Sequence, residues 1–384
     1  MAALDADVVV VGAGPGGCAA GLAALRVRRD ARVLLLDRAP CGRDKVCGDP
    51  VGPRARQTLA ALGAGTGVRH EEEVSRFRLV SASGRSVSGA VSTPGFVVLR
   101  RILDARLLDA AVAAGAQFHR ATVAAVPTGA SDVVVTLRGG GTVRAAVVIG
   151  ADGANSVVRC SIGEPPSRDA HLALAVRGYA DRPQDLRELL IRWHPVAHGI
   201  AYAWAFPTAD GHMNVGYGAP VSAVTGGRKQ LESAFALLLE NVLDTSGVRF
   251  TGHHLPLSPG RPRAASGRVL LVGDAAGLVN PLSGEGIFYA LESGRLAGAA
   301  ALSSRPDTGY REHLAQRFGR HHRDTAFAAR LLRPVSVEAT IHAARNDDPV
   351  LRQILDLALG DGSLSARDIV RFTRSWIAPR RRTP

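Results

Sequence analysis

Apolar residues come first in an unbroken run at 8–11, then in an Ala- and Leu-rich stretch at about 16–27, then in a second run at 33–36. Short continuous apolar runs bounded by glycine have the pattern of strands buried on both faces. The stretch between them has helical composition, so the chain is predicted to open as a βαβ unit with a parallel sheet. A loop rich in Gly, Pro and charge follows at 39–53, then a short helix at 56–62. Residues 77–98 shorten into strands and turns. Residues 102–114 return to a helix with Leu103, Leu107, Leu108 and Val112 on one stripe. Strands continue to Val148, with Gly139, Gly140 and Gly141 as a hairpin turn. Residues 172–255 read mostly as antiparallel strands with one helix at 231–242. Residues 269–272 repeat the strand-into-glycine pattern, a long helix begins near Gly284, and the chain beyond Thr308 is helical and charged.

Composition narrows this picture. With 384 residues and 46% hydrophobic content, the chain has enough apolar material for a large core. The formal charge of +13 is compatible with anionic partners. Apart from Arg380, Arg381 and Arg382, however, no basic run is dense, and no aromatic residues interleave with the arginines, so nucleic acid is not expected. Four scattered cysteines, Cys18, Cys41, Cys47 and Cys160, suit a reducing cytoplasm rather than a disulfide framework. No apolar stretch approaches the roughly 20 residues of a membrane span, so at most peripheral membrane contact is expected. Metal binding is not expected either. Cys41 and Cys47 lack paired ligand spacing, and the adjacent pairs His253–His254 and His321–His322 diverge on any regular element.

Gly12, Gly14 and Gly17 form G-x-G-x-x-G between the first strand and first helix. This spacing gives a tight turn, a close backbone approach to a pyrophosphate, and close helix–strand packing. Asp37 ends the second strand 20 residues after Gly17, where a carboxylate accepts from ribose hydroxyls and disfavours a 2′-phosphate. Asp37, with Arg38 beside it, is a cofactor-binding candidate. The tightly bound nucleotide is therefore FAD or NAD rather than NADP. The fold expected is α/β: a Rossmann-type dinucleotide-binding domain (1–75, 96–170 and 260–305), an inserted antiparallel β-rich substrate domain (76–95 and 171–259), and a helical C-terminal region (306–384).

Four further segments carry a family resemblance. They are Gly150-Ala151-Asp152-Gly153-Ala154-Asn155-Ser156; Gly273-Asp274-Ala275-Ala276-Gly277 with Asn280-Pro281 and Gly284-Glu285-Gly286; Lys45-Val46-Cys47-Gly48 with Pro53-Arg54-Ala55; and Tyr202-Ala203-Trp204-Ala205-Phe206-Pro207 with Val215-Gly216-Tyr217-Gly218. Together they resemble the geranylgeranyl reductase family of the FAD-dependent aromatic hydroxylase-like flavoproteins, over residues 7 to about 300. The resemblance implies that the cofactor is FAD, that Gly273 and Asp274 contact the ribityl chain, and that Asp152 and Gly153 lie near the pyrophosphate and flavin. It places Arg100 on the phosphate side. Gly284 and Gly286 open a helix whose unpaired N–H groups and dipole stabilise negative charge on the reduced flavin ring. Glu285 is either a surface residue at that helix start or a polar group facing the flavin. Asp49 and Pro50 stand where many prenyl reductases carry glycines.

Lys45 and Cys47 are the catalytic candidates. Lys45 and Lys229 are the only lysines in a chain that otherwise writes its cations as Arg, which suggests either a chemical need for lysine or chance. Cys47 is either a thiol at the reaction centre or a small buried residue. Tyr202, Trp204 and Phe206 share one strand face. Read alone, such a stripe is core; the resemblance makes it a substrate-cavity wall. The expected function is reduction of C=C bonds in a prenyl-type or other large apolar substrate, with NADPH or an electron-donor protein as external reductant. The alternative on the same scaffold is a flavin-dependent monooxygenase or halogenase of secondary metabolism.

Overall fold

The computed structural model describes residues 5–65, 71–127, 132–168, 171–196, 199, 201–331 and 333–365, with a few further positions up to 374. The arginine run Arg380–Arg382 lies outside the described residues. The first half runs β1 (Ala6–Val11), α1 (Pro15–Val27), β2 (Val33–Asp37), β3 (Pro50–Val51), α2 (Pro53–Ala61), β4 (Glu72–Val80), β5 (Ser86–Val97), α3 (Arg100–Ala113), β6 (Gln117–Arg120), β7 (Val123–Ala125), β8 (Val133–Leu137), β9 (Thr142–Gly150) and α4 (Val157–Ser161). The second half runs β10 (Leu172–Asp181), β11 (Leu189–His194), β12 (Ala201–Pro207), β13 (His212–Pro220), α5 (Gly227–Leu239), β14 (Thr251–Pro256), β15 (Ala265–Ser266) and β16 (Val269–Leu271). The helices α6 (Ile287–Ala301), α7 (Pro306–Leu331), α8 (Pro334–Asn346) and α9 (Asp348–Leu359) follow.

Two eight-stranded sheets organise the chain. The first has the order β15-β16-β9-β1-β2-β6, with β7 and β8 joined beside β9. Its central strands β16, β9, β1, β2 and β6 are parallel, as the unbroken apolar runs predict. Helices α1 and α6 pack so closely that a Cβ on Gly294 would lie 2.2 Å from the Gly16 carbonyl oxygen, and one on Gly298 would lie 2.0 Å from that of Ala20. Small residues let the two backbones touch, which seats the first helix of the C-terminal helical stretch over α1. Tyr310 of α7 then donates to the Leu271 carbonyl at 2.7 Å and ties that helix to β16.

The second sheet has the order β14-β10-β13-β12-β11-β4-β5-β3. Its pairing is antiparallel except at β11–β4, which is parallel because the intervening chain returns through the first sheet before β11 is laid down. The sheet also gathers Pro50–Val51 and all of Glu72–Val97, so it draws more of the N-terminal half than residues 76–95. One face buries Leu231, Phe235 and Leu239 of α5 against Ala201, Ala203 and Ala205 of β12. The other face carries Tyr202, Trp204 and Phe206, so the two-residue period of β12 sorts alanine to one side and aromatics to the other. Farther along that face, Phe77, Leu79 and Val87 pack against Ile341, Ala344, Leu351, Ile354 and Leu355 of α8 and α9.

The long helix starts at Ile287 rather than Gly284. Gly284 has φ +70°, a left-handed conformation outside any right-handed helix, and the turn from Asn280 to Gly286 closes through Asn280 N–H donating to the Glu285 carbonyl at 2.9 Å. Among the described residues, no helix is long and apolar enough to cross a membrane, and no cluster of three or more His, Cys, Asp or Glu is placed to hold a metal.

Candidate active site

The nucleotide half of the site is made mainly of backbone. Gly12 has φ +103°, and a Cβ there would fall 2.2 Å from the Ala151 oxygen; a Cβ on Gly17 would fall 1.8 Å from the Gly12 oxygen. These two glycines are required by the protein itself. Gly14 is different, because a Cβ there meets only Arg100 Nη2 at 3.9 Å, so its small size serves whatever approaches from outside. Helix α1 begins at Pro15 with no side-chain cap and no acidic residue in its first turn. Its free N–H groups and positive dipole end suit a pyrophosphate.

Asp37 closes this turn. Its Oδ2 accepts from the Ala13 N–H and its Oδ1 from the Ala39 N–H, both at 2.8 Å, leaving lone pairs for ribose hydroxyls. Arg38 is exposed, and its carbonyl accepts from Arg120 Nε at 3.4 Å. Arg100 is buried at the start of α3 in a two-pronged pair with Asp104, at 2.8 and 2.7 Å, whereas neighbouring Arg101 is exposed. Asp152 points back into its own chain. Its Oδ2 accepts from the N–H groups of Val157 (2.7 Å) and Val158 (3.2 Å), and its Oδ1 accepts from Ser156 Oγ. It thus shapes the turn at Gly153, whose φ is +82° and which faces open space.

Asp274 sits in a turn of 3₁₀ helix, Gly273–Ala276, directly after β16. Lys45 Nζ donates to its Oδ2 at 2.8 Å, and His253 Nε2 lies 4.0 Å from the same oxygen. Burial works to raise the Asp274 pKa, yet Lys45 and His253 hold the carboxyl well below the usual carboxylate range. Lys45 therefore joins the loop of residues 42–52 to the first sheet across 229 positions of sequence.

The polar anchor of this loop was not apparent from sequence. Asp49 is fully buried with φ +70°, and its Oδ2 accepts from Asn214 Nδ2 at 2.7 Å and from Tyr179 Oη at 3.2 Å. Its Oδ1 has no partner among the described residues. Burial pushes the Asp49 pKa up to about 7 against the pull of Arg177 and Asn214. Asn214 also donates to the Cys47 carbonyl at 2.8 Å and accepts from Trp204 Nε1 at 2.9 Å, so one buried amide fixes both loop and aromatic strand. The available signal was register: β12 and β13 pair Trp204 with Gly216 and Tyr202 with Gly218, and Asn214 shares the parity of those glycines. A Cβ on Gly216 would lie 2.3 Å from Trp204 Cζ2, so the glycine makes room for the indole.

One cavity of about 250 Å³ brings Lys45, Cys47, Arg100, Asp274 and the Gly284–Ile287 turn together with Tyr202, Trp204 and Phe206. Burial, with Asp49 nearby, pushes the Cys47 thiol up to about 11. Tyr202 Oη donates to the Ser283 carbonyl. Glu285 lines the cavity half-buried. Its Oε1 accepts from the Phe288 N–H at 2.9 Å, and burial pushes its carboxyl up to about 7 despite that bond, the Ile287 N–H and Arg100. The far wall is apolar and includes Ile354, Leu355 and Leu359 of α9. Asn280 Nδ2 donates to the Leu357 carbonyl at 2.8 Å and Tyr289 Oη to that of Gly360 at 2.8 Å, which secures α9 beside the start of α6.

Comparison with known proteins agrees with this geometry. The family model of an FAD binding domain matches residues 5–179. Menaquinone reductase of Mycolicibacterium smegmatis is 36% identical over 343 residues, covering 82% of each chain. Digeranylgeranylglycerophospholipid reductase 1 of Methanopyrus kandleri is 31% identical, covering 85% of this chain and 89% of its own. A geranylgeranyl bacteriochlorophyll reductase-like protein of Thermoplasma acidophilum has the same fold, with a TM-score of 0.80 at 20% identity over 97% of this chain and 96% of that one. Gly12, Gly14, Gly17 and the uncapped start of α1 fit the dinucleotide that this family binds, and the chain belongs to the geranylgeranyl reductase family of FAD-dependent oxidoreductases.

Proposed function

We propose that this enzyme saturates carbon–carbon double bonds in a prenyl-type or similarly large apolar substrate, and that NADPH or an electron-donor protein reduces its FAD. The observation that carries this reading is the continuity of one cavity from the Lys45–Gly48 loop and the Gly284–Ile287 turn to an apolar wall of the second sheet and α9. The reductase names of the relatives at 36% and 31% identity support the reaction type, and the apolar wall supports the substrate class.

The contacts support a division of labour. The start of α1 and Arg100 would hold the pyrophosphate, Asp37 the ribose, and Asp274 the ribityl chain, with Lys45 fixing the Asp274 carboxylate. Reduced flavin, when bound, supplies the hydride. Tyr202, Trp204 and Phe206 align an extended apolar chain and exclude water, and the cavity side of α9 completes the enclosure.

The test is anaerobic reduction of the purified flavoprotein with dithionite, then mixing with a geranylgeranyl-chain lipid and, separately, with oxygen. The lipid offers alkenes and no quinone ring. Alkene-dependent flavin reoxidation with a product heavier by two hydrogens is the expected result. Rapid oxygen-dependent adduct formation with no alkene turnover would sink the reading in favour of a monooxygenase or halogenase.

A further inference from the structure

We propose that Glu285 is the acid that delivers the proton in this reduction, an assignment that rests on the reductase function proposed above. The side chain stands at the cavity wall one residue before Gly286, the N-cap residue of α6. Because Gly286 has no side chain to cap the helix, Glu285 does so: its Oε1 accepts from the Phe288 N–H at 2.9 Å. One oxygen satisfies the cap. The Ile287 N–H also bears on the carboxyl, but the hydrogen bond that fixes it runs to Oε1, and the side chain lines the cavity, which leaves Oε2 to face it.

The neighbouring candidates are committed elsewhere. The Lys45 ammonium donates to Asp274, and the Tyr202 hydroxyl donates to the Ser283 carbonyl. The Cys47 sulfur accepts from the Asp49 N–H at 3.3 Å, and its thiol, at about 11, is too weak an acid to give up its proton readily at neutral pH. Burial pushes the Glu285 carboxyl up to about 7, where it holds a proton at neutral pH and can still release it. The charged and titratable groups acting around it are Arg100 from α3, Cys47 from the loop, Tyr202 from β12 and Tyr289 from α6. Lys45, Asp274 and His253 lie on the same cavity wall.

The step balances. The alkene π bond breaks as one carbon receives a hydride, with its two electrons, from reduced flavin. The other carbon forms a C–H bond to the proton released from Oε2–H, leaving Glu285 as a carboxylate and the flavin oxidised. Water entering the cavity returns the proton to Glu285.

Glu285→Gln separates acid from cap, because the amide oxygen still accepts from Phe288 while the acidic proton is gone. With FAD content and dithionite reduction confirmed for both proteins, alkene-dependent reoxidation should fall about 100-fold or more in E285Q. The wild-type rate should decline as pH rises through about 7, and that limb should vanish in the variant. Infrared pH titration gives a readout independent of turnover. Two carboxyls are held near 7, Glu285 and Asp49, so the test is made in the Asp49→Asn background: a protonated-carboxyl band should disappear near pH 7 in Asp49→Asn and be absent when E285Q is added to it. Wild-type turnover with an unchanged rate and pH profile in E285Q overturns the assignment of Glu285 alone. Absence of alkene turnover in the wild type overturns the reductase reading and this assignment with it.

Discussion

The two sides of the cavity are built on different principles. The nucleotide side is a backbone construction: Gly12 and Gly17 are dictated by contacts of 2.2 and 1.8 Å that a Cβ would make, and the helix start offers only N–H groups. The apolar side is a side-chain construction, in which Asn214, Trp204, Asp49 and Tyr179 interlock and α9 arrives from much later in the chain. A backbone site has to be written within a few consecutive residues. A side-chain site is assembled from whatever the fold brings together, so the two sides should fail independently when disturbed.

The largest effect expected is at Gly14. Valine there should abolish the yellow colour while circular dichroism and melting temperature stay near wild type, because the protein itself leaves that space open. A variant that keeps its flavin would break the comparison at its strongest point. Next is Trp204→Ala, which removes a buried indole and its bond to Asn214 and should cost about 3 kcal/mol in denaturant unfolding. It should lose alkene turnover and retain FAD by absorbance; loss of flavin along with turnover would show that the two sides are coupled.

The smallest effect concerns Asp49. Its folded pKa, about 7, lies above the ordinary value of 3.8, so between those values the folded state holds the extra proton. Stability from this group is therefore lost as pH rises from about 4 to 7. Glu285 contributes a decline of the same sign. Asp49→Asn should make melting temperature fall less steeply over that window, and an unaltered slope would mean that Asp49 is already ionised in the fold.

The same contrast explains what the sequence made legible. The G-x-G-x-x-G turn, Asp37 and the β1–α1–β2 order were readable because each depends on neighbours in the chain. The Tyr202–Phe206 stripe was readable as a face through its period of two, but its role required knowing that Gly216 and Gly218 stand opposite. Lys45 stood out by rarity; its partner, 229 positions away, did not. Asp49 looked like a departure from a glycine pattern and proved to be a buried anchor in left-handed backbone. The final helices were legible as helical and charged, but not as part of the apolar wall, because their short apolar stripes meet β4 and β5 only in three dimensions.

The placement of α9 has a consequence for the order in which the enzyme is made. The first sheet and α6 are complete once residue 301 has been synthesised, whereas the wall supplied by Asp348–Leu359 leaves the ribosome more than forty residues later. Because domains tend to fold as they emerge, a nascent chain completes the sheet and glycine turns of its dinucleotide fold before its apolar cavity is enclosed.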